Sequence, residues 1–147
     1  MKKTILSAMV LALMVFTTSC TKNKEKEETV KPQTEEVVDM HTSENSLDWA
    51  GTYVGVLPCA DCEGIKTSIT LQDDKTFEET SEYLGKKSNF KEKGTFEWDK
   101  TGSIVTLKYK DTQHSYKVAE GSIILLDQEG KEISGDLAKN YILNKVN

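Results

Sequence analysis

Three cysteines and two histidines hold most of the nucleophilic and soft-metal capacity of this 147-residue chain. Two of the cysteines stand together in Leu57-Pro58-Cys59-Ala60-Asp61-Cys62-Glu63-Gly64. Two thiols spaced in this way have three chemistries open to them. They can close a disulfide, which in so short a loop constrains the unfolded chain by roughly 2 kcal/mol. They can hold Cu(I), which accepts sulfur ligands and low coordination. Zinc normally needs four ligands, and there is no second C-x-x-C and no histidine near this one. Met1, Met9 and Met14 lie in the apolar start of the chain, so only Met40 is left to add a thioether. The third chemistry is thiol–disulfide exchange. A thioredoxin-type pair opens a helix whose N-terminus lowers the thiol pKa. Here Gly64 and an alternating segment follow, and Asp61 and Glu63 work against a thiolate. A structural disulfide is therefore the leading reading of Cys59 and Cys62, with Cu(I) as the alternative.

Catalysis finds little else to work with. No Gly-rich phosphate loop, G-x-S-x-G or H-E-x-x-H is present. Asp73-Asp74 and Glu78-Glu79 are adjacent acids of the kind that keep turns and exposed strand faces soluble. His114 has no candidate nucleophile beside it. The chain carries 19 Lys+Arg, all of them lysine, against 24 Asp+Glu, for a net charge of -5. Without arginine there is no bidentate contact to phosphate or guanine, and an acidic chain repels nucleic acid, so nucleic-acid binding is not expected. The expected protein is not an enzyme and requires no cofactor.

The third cysteine belongs to a processing segment. Lys2 and Lys3 precede an apolar run from Ile5 to Phe16, then Thr17-Thr18-Ser19-Cys20. The run has the length of a signal-peptide core and falls short of the roughly 20 residues a spanning helix needs. Small residues ending at a cysteine resemble a bacterial lipobox, although leucine is the usual residue where Thr17 stands. Residues 1–19 are thus read as a lipoprotein signal peptide and Cys20 as the lipidation site. Cleavage there leaves 17 lysines against 24 acids, a net charge of -7. About 0.8 kcal/mol per buried acyl CH₂, over two or more chains, anchors such a protein stably. No later segment is long and apolar enough to span a membrane. Residues 20–48 follow as a flexible tether. The stretch from Thr21 to Asp48 has many charges, no aromatic residue and only scattered Val, Met and Leu. It lacks the apolar surface to offset its ordering entropy, and as a coil it spans roughly 30 Å.

From Trp49 the pattern changes. Ile65, Thr67, Ile69 and Leu71 alternate with polar neighbours, the period of a half-buried strand. The same signal marks Gly51–Leu57, Thr76–Tyr83, a strand from Phe90 to Trp98, Ser103–Tyr109, Gln113–Ala119, Ser122–Asp127 and Asn140–Val146. Asp136–Lys139 is a candidate single helical turn. About eight short strands in meander order over 49–147 predict a small antiparallel up-and-down β-barrel, since closure removes unpaired edges. The inward parity collects Phe77, Tyr83, Phe90, Phe96, Trp98, Leu107 and Tyr116, enough to predict a largely filled interior. Glu79, Glu92 and His114 share that parity, which makes them candidate ligand-lining residues.

The run Gly51-Thr52-Tyr53-Val54-Gly55-Val56-Leu57-Pro58-Cys59-Ala60-Asp61-Cys62-Glu63-Gly64-Ile65 resembles the opening of the NlpE family of copper-resistance and envelope-stress lipoproteins. The resemblance continues through Thr76-Phe77, Tyr83-Leu84-Gly85, Gly94-Thr95-Phe96-Glu97-Trp98 and Leu125–Leu137, and ends at Tyr141-Ile142-Leu143. It implies a lipocalin-like barrel on an outer-membrane lipid anchor, at the periplasmic face or the cell surface. It also implies relay of copper, surface-contact or lipoprotein-trafficking stress to an envelope partner such as a sensor kinase. Some members carry a second, C-terminal domain with another C-x-x-C pair. With Asn147 just after the last strand, this chain is expected to lack it. The alternative expectation is a barrel that binds Cu(I) or a small ligand. The anchor is testable first: Cys20→Ala should leave an uncleaved or soluble protein. Full partition of that variant into the detergent phase at mature mobility would defeat the lipoprotein reading.

Overall fold

Each alternating segment becomes a strand of one closed barrel. The computed structural model describes residues 41–146. The segment 1–19, Cys20 and most of the stretch read as a tether lie outside the described residues. The strands are β1 (Gly51–Leu57), β2 (Ile65–Leu71), β3 (Thr76–Tyr83), β4 (Ser88–Trp98), β5 (Ile104–Lys108), β6 (Gln113–Ala119), β7 (Ser122–Leu125) and β8 (Ile142–Val146). Each pairs antiparallel with the next, and β8 returns to β1, which closes the up-and-down barrel. The described helices are single turns, α1 (Ser43–Ser46) and a 3₁₀ turn at Ala138–Tyr141. That 3₁₀ turn takes the place of the first two residues expected in the last strand. Among the described residues no helix is long and apolar enough to cross a membrane.

The closing seam is short: Thr52, Tyr53 and Val54 pair with Val146, Lys145 and Asn144. Gly55 follows immediately on β1. A Cβ there would lie 2.6 Å from Leu143 Cδ2 and 2.8 Å from the Ile142 carbonyl oxygen, so a side chain at this position would push the two strands apart.

The barrel has a filled half and an open half. In the filled half Ile69, Leu71, Phe77, Phe96, Leu107 and Leu143 are buried. Trp49 plugs this end, edge-on to Phe96 at 5.8 Å and to Trp98 at 5.5 Å. Its Nε1 donates to the Glu44 carbonyl at 3.0 Å. Residues 42–48, grouped by composition with the tether, form part of this plug. Thr42 caps α1 by accepting from the Asn45 N–H. Ser43 Oγ donates to the Val118 carbonyl at 2.8 Å, and Leu47 packs on the core. The dense charge around them masks these anchoring residues in the sequence.

The other half is open because neighbouring strands differ in length. β4 has eleven residues and β5 five. Lys108, the last residue of β5, lies opposite Thr95, so Ser88–Gly94 pair only with β3. Gly94 marks the step, where a Cβ would come within 2.2 Å of the Lys108 carbonyl oxygen and 2.8 Å of the Phe77 ring. The expectation of a largely filled interior is therefore corrected: one half is packed and the other is a cup. Phe90 shows the consequence. It has the inward parity expected of it but is 54% exposed, because β5 stops short and leaves it without a strand on that side. Phe96, six residues along the same strand, is 1% exposed. Phe96→Ala should cost about 3–5 kcal/mol, enough to unfold a domain of this size, whereas Phe90→Ala should cost under about 1 kcal/mol. Urea denaturation measures both, and equal losses would contradict the division into two halves.

Candidate functional site

The open end carries both sets of residues that the sequence marks for chemistry. One is the β1–β2 connection on the rim; the other is the floor of the cup.

On the rim, Cys59 and Cys62 are joined as a disulfide, with Cα atoms 5.3 Å apart, within the usual range for such a bond. The loop is tied to the β3–β4 turn. The Leu84 N–H donates to the Gly64 carbonyl at 2.9 Å, and Lys86 Nζ meets Asp61 Oδ2 at 2.5 Å. The hydrogen bond from Lys86, reinforced by its charge, holds the Asp61 carboxyl below its ordinary range. Gly64 leaves the loop with φ of 152°, and a Cβ there would strike Val56 Cγ1 at 2.6 Å. Among the described residues, Cys59, Asp61 and Cys62 are the one group of three potential metal ligands lying within 4.8 Å of one another. The two sulfurs are bonded to each other, so a soft metal at this loop requires the reduced pair.

The cup has a volume of about 560 Å³. Its walls are apolar near the rim, where Leu57 and Ile65 face Leu125, and Tyr83 meets Phe90 edge-on at 5.6 Å between β3 and β4. Glu79, Glu92 and His114 all line it. Glu79 on β3 and Glu92 on β4 are direct cross-strand partners. The Glu79 carboxylate accepts hydrogen bonds from the Tyr109 hydroxyl and from Ser81 Oγ, the latter at 2.7 Å. Tyr109 stands edge-on to Phe77 at 4.9 Å and tilted against His114 at 5.1 Å. Burial pushes the Tyr109 hydroxyl well above its ordinary pKa, and the neighbouring Tyr116 and Glu79 add to the effect. Tyr116 is raised in the same way, first by burial and then by Glu79. Both phenols therefore remain protonated hydrogen-bond donors at neutral pH.

Tyr109 and Ser81 escape a reading of the sequence as site residues. Each has the correct parity, but Tyr109 sits at the end of a strand and Ser81 is a small polar residue among exposed acids. Their role appears only when β3 and the end of β5 converge on Glu79.

The chain matches the family model described as the NlpE N-terminal domain over residues 53–136, more than half its length. It is 36% identical to Lipoprotein NlpE of Escherichia coli over 97% of its own length, and the match covers 56% of that relative. The chain thus spans about half the length of the curated relative it matches. Among solved structures, a lipoprotein from Shewanella oneidensis is 54% identical, with a TM-score of 0.66 over 71% of this chain and 94% of that one. The Cpx pathway activator NlpE from Escherichia coli is 32% identical, with a TM-score of 0.51 over 58% of this chain and 46% of that one.

Closing a ring of four residues constrains the unfolded state only modestly. Reduction of Cys59–Cys62 should therefore lower stability by about 2 kcal/mol or less and leave the barrel folded. Mass-tagging of free thiols in cell extracts, followed by thermal unfolding of the oxidised and reduced forms, checks this. Two tags on most molecules would put metal binding or redox sensing ahead of a structural disulfide.

Proposed function

The chain belongs to the NlpE N-terminal domain family, and on that premise we propose that it is a lipid-anchored envelope lipoprotein, not an enzyme, that relays envelope stress by protein contact. Its seat is the outer membrane, held by acyl chains on Cys20. The observation that carries the reading is the family match across the barrel together with the relative named as a Cpx pathway activator. By that likeness the partner is a sensor kinase or a protein that feeds one, and the stimulus is copper, surface contact or disturbed lipoprotein traffic. The site chemistry supports a role without catalysis. The acceptor oxygens of Glu79 are engaged by Tyr109 and Ser81, and both buried tyrosines hold their protons, the reverse of what a base or nucleophile requires.

The cup favours a second reading, in which the barrel is a small-ligand module. A cavity of about 560 Å³ with apolar walls and a few convergent polar groups has the make-up of a ligand site. Cu(I) belongs to this second reading only through the rim. It would need the Cys59–Cys62 bond reduced by two electrons, and Cys62→Ser should then abolish uptake.

Signalling is tested by overproducing the full chain in Escherichia coli cells that lack their own NlpE and carry a Cpx reporter. Reporter output should rise several-fold, and Cys20→Ala should remove the rise. No rise from correctly anchored protein would overturn the signalling role for this chain.

A further inference from the structure

We propose that the cup binds an organic cation, a ligand with an ammonium head and an apolar body. This rests on the small-ligand reading of the barrel and names the class of ligand.

The first observation is an electrostatic arrangement with no internal resolution. Glu79 and Glu92 face each other across β3 and β4, and both line the cup. Like charges directly opposite on neighbouring strands destabilise the pair. Elsewhere on the described surface seven carboxylates have a lysine partner within 4 Å. Among the described residues neither Glu79 nor Glu92 has one, so the cup keeps a negative floor that a bound cation would neutralise.

The second observation is a polar group left over. Tyr116 lines the cup and is 1% exposed, yet its hydroxyl has no hydrogen-bond partner among the described residues. That hydroxyl opens onto the cup and is not sealed in the core, so it can still take a hydrogen bond from a bound group. The neighbouring hydroxyls of Tyr109 and Ser81 are already directed at Glu79. An ammonium has three donors and no acceptor, and here it meets two carboxylates and a phenol oxygen.

The walls define the rest of the ligand. Leu57, Ile65 and Leu125 offer apolar surface to a hydrocarbon body. The aromatic rings of Tyr83 and Phe90, which also line the cup, suit a cation passing inward. A bare metal ion fits less well, because Glu79, Glu92 and His114 do not bring their ligand atoms within 4.8 Å of one another, as the cysteine loop does. An anionic head would have to use Lys91 and His114, which also border the cup. However, Lys91 pairs with Thr80 at an outward-facing position of β4, whereas Glu79 and Glu92 face each other at inward positions.

Calorimetric titration tests the assignment. The barrel closes on itself within the described residues, so the chain from Thr21 onward serves in detergent-free buffer. The probes are octylammonium, octanol and octanoate at one neutral pH. Octylammonium should bind one per chain, about tenfold or more tighter than octanol, with octanoate weaker again. Glu92→Gln, at an exposed strand position, should weaken octylammonium about tenfold and leave octanol unchanged, while Lys91→Ala should not weaken it. Glu79→Gln keeps an acceptor for Tyr109 and should act like Glu92→Gln, with the melting temperature of each variant confirming its fold. Octanol binding as tightly as octylammonium would overturn the cation class while leaving a ligand cup. Octanoate binding tighter would reverse the sign of the site. No binding of any probe would overturn both the ligand class and the small-ligand reading.

Discussion

The structure depends on a seam three residue pairs long, where Thr52, Tyr53 and Val54 of β1 meet the end of β8. Open, β1 and β8 would be two sheet edges with unpaired backbone groups, and the inward face would lose its opposite wall. Gly55 lets β8 come close enough to form the seam. Lys145, inside the seam, donates to the Asp48 carbonyl at 2.6 Å and meets its carboxylate at 2.8 Å. Tyr53, paired to Lys145, donates its hydroxyl to the Trp49 carbonyl at 2.6 Å; burial, with Asp48 nearby, pushes that hydroxyl up to about 12. The residues that close the barrel therefore also hold down the Trp49 plug, so closure and sealing of the packed end form one cooperative arrangement.

At the opposite end the same barrel is left unsealed. The length difference between β4 and β5 removes the wall beside residues 88–94, and among the described residues no plug covers the gap. Polar side chains can then face inward without the full cost of burial. This accounts for how Glu79 and Glu92 occupy inward positions that hydrophobic residues fill in the packed half. The hydroxyls of Tyr109 and Ser81 compensate Glu79 in part, while Tyr116 and the opposed carboxylates remain open to a bound group.

The cysteine loop shares this rim. Leu57 and Pro58 enter the loop and also line the cup, while Leu84 and Lys86 bind the loop to the neighbouring β3–β4 hairpin. The disulfide thus stiffens one lip of the opening and leaves the packed core alone. A short covalent ring on an exposed loop contributes little to global stability, but it limits how the lip is presented to a ligand or a partner.

Much of the barrel was legible from residue order alone. The period-2 alternation of Ile65–Leu71 and the turn residues between segments state strand identity locally, since each depends on neighbours in the chain. β1, β2, β3 and β6 match their expected bounds for that reason, and the meander order follows from the short connections. The pairing of Cys59 with Cys62 was the leading reading because a strand and not a helix follows the loop, and Asp61 and Glu63 disfavour a reactive thiolate. Tertiary structure decided what depends on more than one strand at a time. Parity placed Phe90 inward, but burial requires an opposite wall, and the absence of that wall follows from where β5 stops relative to β4. Composition placed Leu47 and its neighbours in a tether, but Thr42, Ser43 and Trp49 find partners as distant as Val118. Glu79, Glu92 and His114 each signalled only an inward position, whereas the cross-strand register sets the two carboxylates face to face. Side-chain direction is a local property of a strand; what that side chain meets is set by strand lengths and register, which only the closed barrel fixes.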